Sequence, residues 1–163
     1  MASLELPHSA ACLVCGRANA HGMKLNLHVD DASGEVRCAF TPGPDHVGFD
    51  GIIHGGALAA VVDEAMVWSA TWRGKRFCFC GEMTLRFRHP VVVNQPLIIV
   101  AVVEFSRPKL VETAAKIFDE EANKLIATGS GKYVPVTPEQ HKSFAATMLD
   151  EPTTSAALAM LRV

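Results

Sequence analysis

The chain has 163 residues, 49% of them hydrophobic and 20% charged, with a formal net charge of −2. That is enough chain and apolar surface for one domain with its own core, and it lacks the basic excess of a nucleic-acid binder. No apolar run nears the roughly 18 residues that span a membrane. "MASLELPHSAAC" has no charged stretch followed by an apolar one, so no signal peptide is expected, and an odd count of five cysteines fits a reducing cytoplasm better than a disulfide framework.

In chain order, "CLVCGRANAHGMKL" is rich in turn formers and reads as a surface loop. "MKLNLHVDD" and "GEVRCAF" read as two strands joined by a turn at "DDASG". "TPGPDHVGFDG" is irregular. A very apolar helix follows from about His54 to Trp72, with Gly74 helping to end it. In "FCFCGEMTLRFRH" the alternation puts Phe77, Phe79, Met83, Leu85 and Phe87 on one face of a half-buried strand, and Cys78, Cys80, Glu82, Thr84, Arg86 and Arg88 on the other. "PLIIVAVVEF", "KLVETAAKIF" and "KLIATGSGKYVPV" are three more strands, and their short links imply antiparallel neighbours. Thr137, Pro138 and Gln140 signal a helix start, with that helix ending near Leu149. A last short helix covers about residues 154–162. The expectation is one α+β domain over 1–163: an N-terminal loop segment (1–22), a core (23–136) in which about six antiparallel strands curve around a long central helix, and a C-terminal helical extension (137–163).

The helix poses the chemical question. From Ala57 to Ala70 every residue except Asp63, Glu64 and Ser69 is apolar. A carboxylate stripped of water pairs with a cation or takes up a proton. The positions three and four residues from Asp63 hold Ala59, Ala60, Met66 and Val67, and those around Glu64 hold Ala60, Val61, Val67 and Trp68. No intrahelical ion pair is available. Glu64 can emerge at the helix edge into water or serve the site; the shorter Asp63 escapes less easily. At the helix start stands His54-Gly55-Gly56. Glycines allow a ligand near the backbone, and the first helical N–H groups are free and sit at the positive end of the dipole, which suits a developing oxyanion. The same glycines also suit a tight corner and nothing more.

His54-Gly55-Gly56, six residues and then Asp63, together with "GFDGIIHGG", "DEAM", "GEMTLRFRHP" and the N-terminal "CLVCG…HGMKL", resemble the hotdog-fold acyl-CoA thioesterases, above all the phenylacetate-pathway-type (PaaI-like) branch. The resemblance spans roughly residues 12 to 135. It implies metal-free, cofactor-free hydrolysis of an acyl-CoA, at sites built between subunits of a homodimer or a dimer of dimers. It places Asp63 as general base or nucleophile, Gly55 or Gly56 as oxyanion donor, and His54 beside the thioester. Cys80 falls where the family often has Ser or Thr, and a thiol is the poorer donor. His46 lies in a stretch where many relatives carry an amide. Arg86, Arg88, Arg107 and Lys109 are candidates for the CoA phosphates, each equally readable as surface charge. Phe49, Met66, Trp68 and Phe79 are candidates for the acyl pocket. A non-catalytic acyl-CoA-binding protein and a hydratase or dehydratase of the same fold remain as alternatives.

Two thiol signals carry less. Cys12-x-x-Cys15 has no second cysteine pair; His21 could be a third ligand, but structural zinc wants four, so no metal is expected. Cys80 has no histidine tied to it by any motif, which disfavours a cysteine nucleophile.

Overall fold

A computed structural model describes residues 3–162. The strands are β1 (Ser3–Glu5), β2 (His28–Asp30), β3 (Val36–Phe40), β4 (Val47–Phe49), β5 (Ile52–Ile53), β6 (Cys78–Phe87), β7 (Leu97–Arg107), β8 (Leu110–Asp119) and β9 (Lys124–Pro135); the helices are α1 (Gly55–Gly74), α2 (Pro138–Thr147) and α3 (Ser155–Leu161). Seven strands form one sheet in the order β1-β2-β3-β7-β8-β9-β6, and β4 pairs with β5 in a small second sheet. Every pairing is antiparallel. The three long strands β7, β8 and β9 form where alternating apolar residues and short links demanded hairpins. The very short β1, β4 and β5 leave too little pattern to be read from sequence.

α1 packs on β3, β6, β7, β8 and β9 and buries Leu58, Val61, Val62, Ala65, Met66, Trp68, Ala70 and Trp72. The sheet does not cover this helix alone. The N-terminal segment crosses it beside Glu64, where Cys12 Sγ lies 4.0 Å from Glu64 Oε1, and sinks Val14, Cys15 and Leu25 into the core. The expected surface loop is therefore a covering layer, because a helix apolar on nearly all sides needs a second apolar surface opposite the sheet. Gly74 is the last helical residue, and Lys75 takes the left-handed cap at φ 48°. α2 begins with the expected capping box: Thr137 Oγ1 accepts from Gln140 N–H and Gln140 Oε1 accepts from Thr137 N–H. Its buried His141 accepts from Phe77 N–H through Nδ1, so Nε2 carries the proton and donates to Leu161 O at 2.6 Å. One satisfied histidine thus ties α2 and α3 to the start of β6. No helix among the described residues is long and apolar enough to cross a membrane.

The alternation expected along β6 breaks at one place. Cys80 pairs with Tyr133 and Glu82 with Lys132, so Gly81 is an extra residue in a β-bulge. Beyond it, Met83, Leu85 and Phe87 pair with Gly131, Gly129 and Ala127, the buried face of β9. Before it, Cys80 shares that inner face and Phe79 pairs with exposed Val134. Phe79 and Cys80 have exchanged sides relative to simple alternation.

Candidate active site

The helix start is organised by an imidazole. His54 caps α1, and its Nδ1 accepts from Gly56 N–H at 2.8 Å. A nitrogen that accepts is unprotonated, so Nε2 carries the proton and faces outward as a donor. The ring is held between two glycines. A Cβ on Gly48 would lie 2.9 Å from His54 Cδ2, and one on Gly56 would lie 2.8 Å from Nδ1. His46 supports this corner through the chain: its carbonyl accepts from His54 N–H at 2.8 Å, while its Nδ1 accepts from Gly43 N–H. Its ring packs edge-on against Phe40. Its imidazole therefore holds its own turn together.

Gly56 N–H is thus already engaged, and Ala57 and Leu58 N–H return to His54 O. Gly55 N–H has no partner among the described residues and is the free donor of the pair named from sequence. It opens on a depression of about 270 Å³ lined by Ile53, Gly55, Leu58, Phe87, Arg88 and His89, among others. The free N–H lies at the positive end of the helix and Arg88 lines the same depression, an arrangement that favours negative charge.

Two turns further along α1, half-buried Asp63 has found a partner. Tyr133 Oη donates to Asp63 Oδ1 at 2.7 Å. Tyr133 is fully buried, and burial followed by the Asp63 charge pushes its phenol well above the usual range, so it stays a donor. Cys80, across from Tyr133 in the sheet, is exposed as a residue, but its thiol faces the same carboxylate; partial loss of water around the sulfur first, then the Asp63 charge, raise it. Cys80 is therefore held neutral beside the acid, the opposite of an activated nucleophile. Sequence reasoning did not find Tyr133. It is the only tyrosine in the chain, and that rarity on a strand of the sheet was the one available signal.

Glu64 is half-buried like Asp63, but it points at the N-terminal segment rather than straight out from the helix edge. It accepts from Trp68 Nε1 at 3.0 Å, and burial, with help from the Cys12 charge, pushes its carboxyl up to about 7. It faces the N-terminal segment, away from Tyr133 and Cys80. The basic candidates are dispersed. Arg88 lines the depression. Arg86 is exposed and shares the outer face with Glu82 and Thr84 beyond the bulge. Arg107 sits over the Phe105 ring near the tip of the β7–β8 hairpin, where it pairs with Leu110, and Lys109 is exposed in that turn. Of the apolar candidates, Met66 and Trp68 are core, while Phe49 is 82% exposed and Phe79 55% exposed.

A single long helix lying on an antiparallel sheet, with a glycine corner at its start and an acid inside it, defines a hotdog domain. The family model of the thioesterase superfamily matches residues 50–126. Among solved structures it is similar to a thioesterase superfamily protein at 22% identity and a TM-score of 0.69, covering 76% of this chain and 60% of that one. It is also similar to the Escherichia coli PaaI protein of the phenylacetic acid degradation operon, at 19% identity and a TM-score of 0.60, over 64% and 75% of the two chains. A Streptococcus mutans protein bound to acetyl CoA matches at 11% identity and a TM-score of 0.63, over 69% and 88%. At these identities the likeness is one of fold. No curated protein matches the sequence.

Proposed function

We propose that the protein is an acyl-CoA thioesterase of PaaI-like type, hydrolysing an acyl-CoA to free acid and CoA, with no metal or cofactor in the chemical step. The observation that carries this is the Asp63 carboxylate in a largely apolar helix, held by Tyr133 at 2.7 Å with no ion-pair partner among the described residues. A charge kept there at some expense of stability belongs to a reaction. In this reading Gly55 N–H and His54 Nε2–H polarise the thioester carbonyl, and Arg88 contributes to holding CoA. Asp63 takes a proton from water as the water attacks, the C–S bond breaks, and CoA thiolate and free acid leave. Alternatively Asp63 attacks the carbonyl itself, CoA thiolate leaves to give a mixed anhydride, and water then hydrolyses that anhydride to free acid and restores the carboxylate. That the fold neighbour from Streptococcus mutans holds acetyl CoA supports the choice of thioester.

The enzyme acts as a homo-oligomer with sites between subunits. β6 is a ten-residue edge strand, and Phe79, Phe87 and Val134 are about half exposed along it and its neighbour. A long apolar edge invites pairing with a second copy. The five free cysteines support a reducing compartment, the cytoplasm.

The test is free-thiol release from a panel of aromatic and aliphatic acyl-CoAs, with Asp63→Asn alongside. Turnover of at least one acyl-CoA is expected, falling about a hundredfold or more in the variant. Binding of acyl-CoA without thiol release would establish the non-catalytic alternative, and hydration of an enoyl-CoA without thiol release would establish the hydratase.

A further inference from the structure

The second acid of α1 belongs to a cluster that the reaction does not use. Cys12 Sγ, Cys15 Sγ and a Glu64 carboxylate oxygen lie within 4.8 Å of one another. They come from two parts of the chain, and Glu64 is 52 residues beyond Cys12. His21, the ligand that follows the cysteines in sequence, is exposed and is not part of the group. Spacing alone left Cys12-x-x-Cys15 short of ligands; folding supplies a third.

The cysteine turn is shaped around sulfur. Val14 N–H and Cys15 N–H both point at Cys12 Sγ, at 3.4 Å each, and Gly16 N–H closes the turn on Cys12 O at 3.0 Å. A Cβ on Gly16 would lie 2.5 Å from Cys12 N and O, so the turn needs glycine there. Paired N–H donors favour a thiolate over a thiol, and the thiolate is the form that ligates metal. Cys15 is 4% exposed. Facing both sulfurs is a carboxylate with no Lys or Arg partner among the described residues. Only Cys12 has the paired N–H donors; Cys15 keeps its proton beside Cys12 and Glu64 in the metal-free chain, and a divalent cation held by the three clustered side chains would displace the protons they otherwise hold.

The donor set selects the cation. Thiolate sulfur favours a borderline-soft ion over magnesium or calcium. Zinc accepts Cys and Glu together in a tetrahedron; with Zn–S near 2.3 Å its sulfurs stand about 3.8 Å apart, inside the observed span. We propose that Cys12, Cys15 and Glu64 bind one zinc-type divalent cation per chain, fastening the N-terminal segment to α1 one residue past Asp63. The fourth position is open to water. The site stands apart from the proposed thioesterase reading and needs none of its residues.

Cobalt is the probe, on the full chain stripped with chelator and kept reduced with a phosphine. Co²⁺ should give a thiolate-to-cobalt charge-transfer band that saturates at one equivalent per chain and is bleached by Zn²⁺. Cys12→Ser and Cys15→Ser should abolish the band, and Glu64→Gln should weaken binding at least about tenfold. Should a serine variant fail to fold, the wild type answers the question: Zn²⁺ should protect Cys12 and Cys15, but not Cys80, from iodoacetamide, read by peptide mass. The proposal is overturned by absence of both band and protection, by a band that survives both serine variants, or by a freshly isolated chain in which Cys12 and Cys15 are already disulfide-bonded. Undiminished binding by Glu64→Gln would remove Glu64 from the site and with it the ligand set proposed.

Discussion

Tyr133 and Asp63 are 70 residues apart in sequence and 2.7 Å apart in space. The phenol comes from β9 and the carboxylate from α1, so the bond fixes the acid relative to the sheet. A hydrogen bond to a charged group is worth about 1.5–3 kcal/mol. If Asp63 is the reacting acid, Tyr133→Phe should lower kcat about tenfold or more while leaving KM within about twofold, because the phenol touches the acid and not the bound acyl-CoA. Steady-state kinetics with the best substrate decide this. An unchanged kcat would show that the orientation of Asp63 is set by packing alone.

Cys80 should behave as a bystander with a neutral thiol. Burial, then the Asp63 charge, hold it above the ordinary thiol range, so its thiolate fraction at neutral pH is small and alkylation slow. Removing the charge in Asp63→Asn lowers the thiol back toward that range, and the alkylation profile should move to lower pH. Cys80→Ser should keep or improve turnover, since a hydroxyl is the better donor to a carboxylate or water. The alkylation rate of Cys80 against pH, followed by peptide mass in both proteins, is the measurement. Complete loss of activity in Cys80→Ser would restore the nucleophile reading.

The two glycines at the helix start should separate cleanly on substitution. A methyl on Gly56 meets His54 Nδ1 at 2.8 Å and Cε1 at 3.1 Å, so Gly56→Ala must displace the ring and break the cap. Melting temperature and kcat should both fall. A methyl on Gly55 meets only Phe87, at 3.6 and 3.7 Å, in ordinary contact. Gly55→Ala should stabilise by up to about 1 kcal/mol through helix propensity, yet raise KM by narrowing the depression beside Arg88. Thermal melts and kinetics on the two variants give opposite stability signs if His54 fills the role described.

Legibility in the sequence followed the range of the interaction. α1 was visible because it is continuous and apolar, and β7, β8 and β9 because their alternation is uninterrupted and their links are short. β6 was visible as a strand, but its faces were not: one added residue, Gly81, reverses Phe79 and Cys80, and nothing in local alternation signals a bulge. Asp63 stood out because its own helix offers it no partner. What its partner would be depended on a residue 70 positions away; Glu64's bond to Trp68 is local, but its approach to Cys12, 52 positions away, is not, and no local pattern carries those long-range contacts.

If the helix start and Asp63 serve one reaction, the distance between them calls for two chains at each site. Gly56 and Asp63 lie seven residues apart on α1, about 10 Å along the axis at 1.5 Å per residue. An oxyanion needs its donors near 3 Å. Tyr133 draws Asp63 toward the sheet, and Gly55 opens on a depression that Asp63 does not line. A second α1 related by a two-fold axis can bring its Asp63 to the first chain's corner and create two equivalent sites. Mixing Asp63→Asn chains with Gly56→Pro chains tests this. Each homodimer should be inactive. After joint unfolding and refolding, random pairing makes half of the dimers hybrid, and each hybrid holds one of its two sites with both groups intact. Activity should therefore return to roughly a quarter of wild type. If the variants are shown to exchange subunits freely and no activity returns, the carboxylate works within its own chain and the two-chain site is wrong.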